Sequence, residues 1–267
     1  MSMVTITDKE FAKFQRFIHE EAGITLSTAK KPLVCGRLGK RLNQHQFTSY
    51  TEYFDFLKSG RSPAEVQIAI DLLTTNETYF FREPKHFDLL RQLASAHRTS
   101  QPFRVWSAAS SSGEEAYSIA MVLQDCVQNG AWEITGSDIS TRVLERARTG
   151  HYPMERAQHI PHSYLKRFCL RGTGAHQGTL LVERNLRSRV QFLQVNLNES
   201  LPALGMFDVI FLRNVMIYFN GETKQQIVAR VLSLLKPGGY FCIGHSESLN
   251  GISNEVMPLA PSIYRKP

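Results

Sequence analysis

The residues best suited to chemistry lie in FRVWSAASSSGEEAYSIA, from Phe103 to Ala120. Phe103, Val105 and Trp106 read as a short buried strand. Small residues from Ser107 to Gly113 form a loop, two carboxylates follow (Glu114 and Glu115), and a helix-forming run completes the turn. A tight strand-to-helix turn lets backbone approach a ligand at the carboxyl edge of a parallel sheet. Phosphate sites there need bare backbone N–H groups and positive charge, as in the GxGxxG and GxxxxGK patterns. Neither pattern occurs, and two adjacent glutamates would repel a pyrophosphate. They suit an ammonium or sulfonium group, which points to S-adenosylmethionine rather than NAD or ATP.

Asp138 ends the next strand, in GSDIS. Its separation from Gly113 is close to the ~20-residue interval at which dinucleotide folds place a ribose-binding acid. The structural alternative is an acid at a helix start, stabilised by the dipole. LLTTNETYFFRE (Leu72–Glu83) sets polar groups beside aromatics, so that Asn76, Thr78 and Arg82 can share one pocket; otherwise it is a helix end and linker. FDVIFLRNVMIYF (Phe207–Phe219) reads as a buried strand that stops at Arg213 and Asn214, with Tyr218 close behind. Polar residues at the carboxyl end of a central parallel strand sit where ligands sit. KPGGY (Lys236–Tyr240) is read as a tight turn into a strand. His159 and His162 in HIPH have metal-ligand spacing, but no cysteine or acidic cluster supports it, so no metal site is expected. His245, in GHSES, is read as capping a strand–loop junction.

These residues need a scaffold, and the patterning supplies one. Up to about residue 75, apolar periodicity predicts four helices. The first is capped by Thr7 or Asp8 and carries Phe11, Phe14, Phe17 and Ile18. The second, around Lys30–Asn43, carries Leu33, Leu38 and Leu42. The third starts at Thr48 or Ser49, carries Tyr53, Phe54 and Leu57, and ends at Gly60. The fourth runs from Pro63 to Leu73. From Phe103 on, short apolar runs alternate with amphipathic helices, which predicts a parallel α/β sheet. Expected strands are Phe103–Ser107, Ile134–Ser137, Phe207–Leu212, Tyr240–Gly244 and Ser262–Arg265. Expected helices are Glu114–Asp125, Thr141–Arg148 and Glu222–Leu235, with His151–Phe168 also helical. Arg171–Val195 breaks the alternation and reads as an inserted antiparallel hairpin.

With 42% hydrophobic and 21% charged residues, the 267-residue chain has the composition of a globular protein. No apolar run approaches the ~20 residues of a membrane span, and MSMVTITDKEF has no signal-peptide core. Cys35, Cys126, Cys169 and Cys242 form no CxxC pair, so free buried thiols in a reducing cytoplasm are expected. A net charge of +7 favours some anionic partner. From Ala22 to Thr51 there is no acidic residue, and Arg37, Lys40 and Arg41 share one helical face. That face is either solvated or a dock for an acidic partner; no aromatics are interleaved as single-stranded nucleic-acid surfaces require.

Taken together, LLTTNETYFFREP, RVWSAASSSGEEAYSIA, SDIS, RGTGAHQG, FLRNVMIYF, LLKPGGY and GHSES resemble the CheR-type protein-glutamate methyltransferases of bacterial chemotaxis, in that family's order. The resemblance implies an all-helical domain (1–85) and a class I, Rossmann-like methyltransferase domain (86–267). A small antiparallel β-subdomain would be inserted at about 171–195. It implies transfer of the S-adenosylmethionine methyl group to glutamates on the cytoplasmic helical bundle of methyl-accepting receptors, leaving S-adenosylhomocysteine. Cofactor contacts carried over by motif are Asn76, Thr78, Arg82, Ala108, Glu114, Asp138, Asn196, Leu197, Arg213 and Asn214. Of the two adjacent glutamates, Glu114 is the one favoured. Arg82 and Tyr218 would lie near the transferred methyl, and Arg37, Lys40 and Arg41 would read the receptor. In some members the β-subdomain also grips a receptor C-terminal pentapeptide. A cytoplasmic monomer that neither binds nucleic acid nor inserts into the membrane is expected.

Two other readings remain at this point. A nucleic-acid amino-methyltransferase would carry Asp/Asn-Pro-Pro-Tyr/Phe where this chain reads RNVMIY. A non-catalytic, cofactor-sensing adaptor would not need Arg82, Asp138 and Tyr218 together.

Overall fold

The computed structural model describes residues 4–97, 100–127 and 131–267. They form two compact units, the first reaching Thr75 and including Tyr218–Lys224, the second comprising Asn76–Ile217 and Gln225–Pro267. The linker expected at the end of the 1–85 segment falls in the second unit from Asn76 on, and Phe80 belongs to that unit's core cluster.

The first unit is built on α1 (Asp8–Ala22), α2 (Lys31–His45), α3 (Tyr50–Lys58) and α4 (Pro63–Leu73). Local chemistry sets their ends. Thr7 and Glu10 cap each other reciprocally, at 3.2 Å and 2.9 Å, and Gly23 ends α1 at φ 71°. Ser49 caps α3, and Ser62 followed by Pro63 opens α4. Phe11, Phe14, Phe17 and Ile18 are buried, each contributing about 1.5–3 kcal/mol. In α2 the buried stripe is Val34, Leu38 and Leu42; Leu33 is only half-buried, because four-residue steps back from Leu42 reach Val34.

The second unit opens with α5 (Lys85–Ala96), which the sequence reading did not single out. There follow β1 (Phe103–Ser107), α6 (Glu114–Cys126), β2 (Trp132–Asp138) and α7 (Thr141–Thr149). Next come β3 (His151–Pro153), α8 (His162–Phe168), β4 (Cys169–Arg171), β5 (Thr179–Val182), α9 (Arg184–Arg187) and β6 (Val190–Gln194). The remaining elements are β7 (Phe207–Leu212), α10 (Gly221–Ser233), β8 (Leu235–Ile243), β9 (Met257–Ala260) and β10 (Ile263–Arg265).

The main sheet has the order β6-β2-β1-β7-β8-β10-β9. The first five strands are parallel; β10 and β9 are antiparallel. Strand order reverses between β1 and β7, so the crevice beyond their carboxyl ends is the natural ligand position.

Two expectations are corrected here. The inserted sheet is β3-β5-β4, drawn from residues 151–182 rather than 171–195, while Val190–Gln194 runs parallel to β2 as an edge strand of the main sheet. His151–Phe168 is not one helix: a strand and a 3₁₀ turn (Met154–His159) precede α8. The four cysteines are free, but only Cys242 is buried; the other three are half-buried.

Candidate active site

The turn after β1 is stitched to the strands on both sides. Ala108 N donates to Phe211 O of β7 (2.9 Å), and Ser110 N donates to Ser137 O of β2 (2.8 Å). Trp106 Nε1 donates to Ser137 Oγ (2.9 Å), which donates to Ala108 O (3.0 Å). Gly113 closes the turn at φ 96°; a Cβ there would lie 2.9 Å from the Ala147 side chain, so glycine is required on two counts. The loop therefore presents Ala108 and three serines on a fixed backbone at the switch point.

Three carboxylates line this turn, and their surroundings differ. Asp138 is buried; its oxygens accept from Ser111 N (3.0 Å) and Ser140 N (2.9 Å), which aims it along the loop. Glu115 accepts from Ser107 Oγ (2.7 Å) and pairs with Arg213 (2.7 Å). Glu114 is 1% exposed and accepts from Ser112 Oγ (2.7 Å), from its own backbone amide and from the edge of Arg156 (3.3 Å). Burial pushes its carboxyl above the ordinary range, and Ser112, its own backbone amide and the Arg156 and Arg146 charges do not fully offset that.

The NETYFFRE segment packs onto the same turn. Asn76 O accepts from Ser111 Oγ (3.2 Å), and Thr78 O accepts from Arg156 Nη1 (2.6 Å). Phe81 and Glu83 both have positive φ, at 55° and 58°, so the chain kinks twice around Arg82. Arg82 keeps one long bond, Nη1 to Glu77 O at 3.3 Å, and lies over the Tyr79 ring. Glu83 turns inward and holds Arg213 (3.0 Å), Asn214 Nδ2 (3.4 Å) and His245 N (3.1 Å). His86, at the start of α5, is buried, and burial together with the Arg213 charge lowers it to about 3, so its ring is neutral.

This geometry changes the expectation for Arg213. Its side chain is 2% exposed and is held by Glu115, Glu83 and the Arg82 carbonyl. It ties the end of β7 to the α6 start and to the Arg82 segment, rather than offering a free guanidinium to a ligand. Asn214 sits at φ 54°, its N–H donating to Glu247 Oε2 (2.9 Å).

Asn196 and Leu197 follow β6 beside Asp138, since Val195 N donates to Asp138 O (3.1 Å). The structure thus gathers Asn76, Thr78, Arg82, Ala108, Glu114, Asp138, Asn196, Leu197, Arg213 and Asn214 along one edge of the second unit. Tyr218 belongs to the first unit, where its carbonyl accepts from Thr25 N (2.8 Å). Glu115, read with Glu114 as an acid suited to a cationic ligand, instead pairs with Arg213; Glu83 and Glu247 stand inside the motifs without a role read from the sequence, and Arg156 has no signal there. A cavity of about 140 Å³ lined by Phe103, Asp208 and Lys236 lies at the amino ends of β1 and β7, away from these groups.

The expected basic docking face is largely internal. Arg37 donates to the carbonyls of Leu72 (3.1 Å) and Thr74 (2.9 Å) at the end of α4. Arg41 donates from Nε to Glu65 (2.8 Å), whose side chain is 4% exposed. Only Lys40 of the three stands exposed.

The comparisons with known proteins bear on both units. Residues 9–74 match the all-alpha domain of CheR methyltransferases, and residues 76–263 match the SAM-binding domain of CheR methyltransferases. The chain belongs to the CheR methyltransferase family. The chemotaxis protein methyltransferase of Escherichia coli (strain K12) is 40% identical to it over 264 residues, covering 98% of this chain and 92% of that protein. Chemotaxis protein methyltransferase 2 of Pseudomonas aeruginosa is 42% identical over 264 residues, covering 97% and 93%. This CheR-family chain is an S-adenosylmethionine-dependent methyltransferase, with the expected helical domain and class I fold. Among the described residues, no helix is long and apolar enough to cross a membrane.

Proposed function

We propose that the enzyme methylates glutamate side chains of methyl-accepting chemotaxis receptors, giving glutamate 5-O-methyl esters and S-adenosylhomocysteine. The observation that carries this reading is the pair of buried acids at successive strand ends, Glu114 under-neutralised and Asp138 fixed by two amides. A cationic amino-acid moiety suits the first, and ribose hydroxyls suit the second. Ala108, Asn76, Thr78, Asn196, Leu197 and Asn214 complete the cofactor contacts, and Arg213 holds the frame.

S-adenosylmethionine supplies a methyl already activated on a sulfonium. A glutamate acceptor with an ordinary pKa of about 4.3 is ionised at neutral pH, so no general base is required. The residues of this chain therefore act by positioning, which can supply about 7–11 kcal/mol. Arg82, half-free in the structure, steers the acceptor carboxylate by a charge-assisted hydrogen bond. Its grip must stay moderate, because the carboxylate loses charge as the ester forms. Tyr218 orients the acceptor or the methyl.

The partner is the cytoplasmic helical bundle of the receptors, met by α2 through the exposed Lys40, with a receptor C-terminal pentapeptide held by the β3-β5-β4 sheet. The enzyme works as a cytoplasmic monomer recruited to receptor arrays. The test is incubation with methyl-labelled cofactor and receptor cytoplasmic fragments. Base-labile label on receptor glutamates is expected. Cofactor that binds without transfer, or label found only on nucleic acid, overturns the reading.

A further inference from the structure

Behind the Arg82 segment lies a group of side chains that methyl transfer does not use: Glu83, His86 and His245. One ligand-type atom from each lies within 4.8 Å of the others. His86 Nδ1 is 3.6 Å from Glu83 Oε2, and His245 Nε2 is 3.9 Å from the same oxygen. His86 is 1% exposed, and its Nδ1 has no hydrogen-bond partner.

The tautomer of His86 follows from its other nitrogen. Ser262 Oγ donates to Pro261 O (2.6 Å), so it accepts from His86 Nε2 at 2.8 Å. Nε2 then carries a proton, and the buried Nδ1, which has no hydrogen-bond partner, faces the Glu83 carboxylate. A buried ring nitrogen without a partner, 3.6 Å from a carboxylate oxygen that Arg213 holds from another side, marks a place for a bound group between them. The neighbouring charges leave room for it: Arg213 is matched by two carboxylates, Glu83 and Glu115.

We propose that Glu83, His86 and His245 bind a divalent metal ion of the zinc type, with water completing the shell. A His₂-carboxylate set with one open position is a known zinc arrangement, with ligand bonds of about 2.0–2.2 Å. Closing the present separations needs a modest swing of His245, whose side chain is 49% exposed and gives the ion its entry. The Ser262–His86 bond is the outer support that metal-bound histidines usually have, fixing ring and tautomer. An ion here draws on the same Glu83 that anchors Arg213 and Asn214, so occupancy changes the support of Arg82.

The site stands whichever acceptor the enzyme methylates. It is tested on the full-length chain by titration with Co²⁺ and Zn²⁺. We expect one equivalent of Co²⁺ to develop the visible absorption of a four-coordinate N/O site, displaced by Zn²⁺. His245→Ala, on an exposed side chain, should weaken binding at least ~10-fold, and Ser262→Ala should weaken it ~10–100-fold through the outer support. His159→Ala should leave it unchanged. Absence of a one-equivalent Co²⁺ signal, or binding that survives His245→Ala unaltered, overturns the proposal. In that case a water molecule donating to both Nδ1 and the carboxylate fills the gap.

Discussion

Each unit of the protein contains a buried glutamate, and their carboxyls shift in opposite directions. Burial alone would raise Glu65 of the helical unit, but donors from Arg41, Tyr53 (2.8 Å) and His45 outweigh it and hold its carboxyl below the ordinary range. Glu114 of the sheet unit is at least as buried, yet a serine, its own backbone amide and a long arginine contact do not outweigh burial, and it stays raised. The arginines differ in the same way. Arg41 is tied to Glu65, whereas Arg82 keeps a single 3.3 Å bond. One unit has completed its charge network within itself, as a structural core must. The other leaves an anion and a cation under-satisfied at a sheet crevice, which is how a protein holds binding energy in reserve for a ligand.

The sharpest way to break this contrast is Arg41→Ala. It strands the buried Glu65 charge, and breaking a buried pair on one side costs about 3–5 kcal/mol. Denaturant unfolding should show that loss, while cofactor affinity measured on folded protein should not change. A loss below about 1 kcal/mol would return Arg41 to the solvent-facing docking role first read from its spacing.

Arg82→Ala should do the reverse. Turnover with saturating cofactor and receptor fragment should fall at least ~100-fold, the scale of one oriented polar group. The melting temperature should hold, since among the described residues Arg82 loses one 3.3 Å bond and a half-exposed ring contact with Tyr79. Near-normal turnover would remove Arg82 from the mechanism.

That one of these arginines was first read as surface shows which information local sequence carries. Helix starts at Thr7, Ser49 and Pro63, and the strands Phe103–Ser107 and Phe207–Leu212, were legible because caps, prolines and apolar runs act over a few residues. Helix α5 lacks a side-chain cap, and Pro84 before it is the one local start signal it offers. Strand β9 is exposed throughout and contains Pro258, as an edge strand tolerates. Strand β6 alternates like a hairpin arm, because one flank of an edge strand meets solvent. The carboxylate and carbonyl partners that bury Arg37, Arg41 and Arg213 lie 24 to 131 residues away, and the positive φ at Phe81 and Glu83 leaves no compositional trace. Glu114 and Asp138 could be singled out because each ends a strand-loop-helix pattern; which acid was left under-neutralised could not.

Glu114→Gln separates ligand binding from folding. A charge-assisted hydrogen bond is worth about 1.5–3 kcal/mol, so cofactor affinity should fall roughly 10- to 100-fold in calorimetry. Folding stability at neutral pH should hold or rise, because the substitution removes a buried, poorly paired charge. Unchanged affinity would move the cofactor's cationic end to Glu115 or elsewhere.

The smallest effect is the pH dependence, and its two signs should differ. Glu65 has a folded pKa below its unfolded value, so its contribution is present above the unfolded pKa and lost as pH falls through the lowered folded one. Glu114 has a folded pKa above its unfolded value, so the folded chain takes up its proton first, and this group favours folding more as pH falls. A bound cation needs Glu114 ionised, so cofactor affinity should start to weaken at a higher pH than an ordinary carboxylate would dictate. Glu114→Gln should flatten that affinity profile and leave the acid limb of unfolding, which Glu65 shares with Glu10, Glu83 and Asp125, in place. An affinity profile that keeps its slope in Glu114→Gln would assign the titrating group to another acid and dissolve the contrast between the two glutamates.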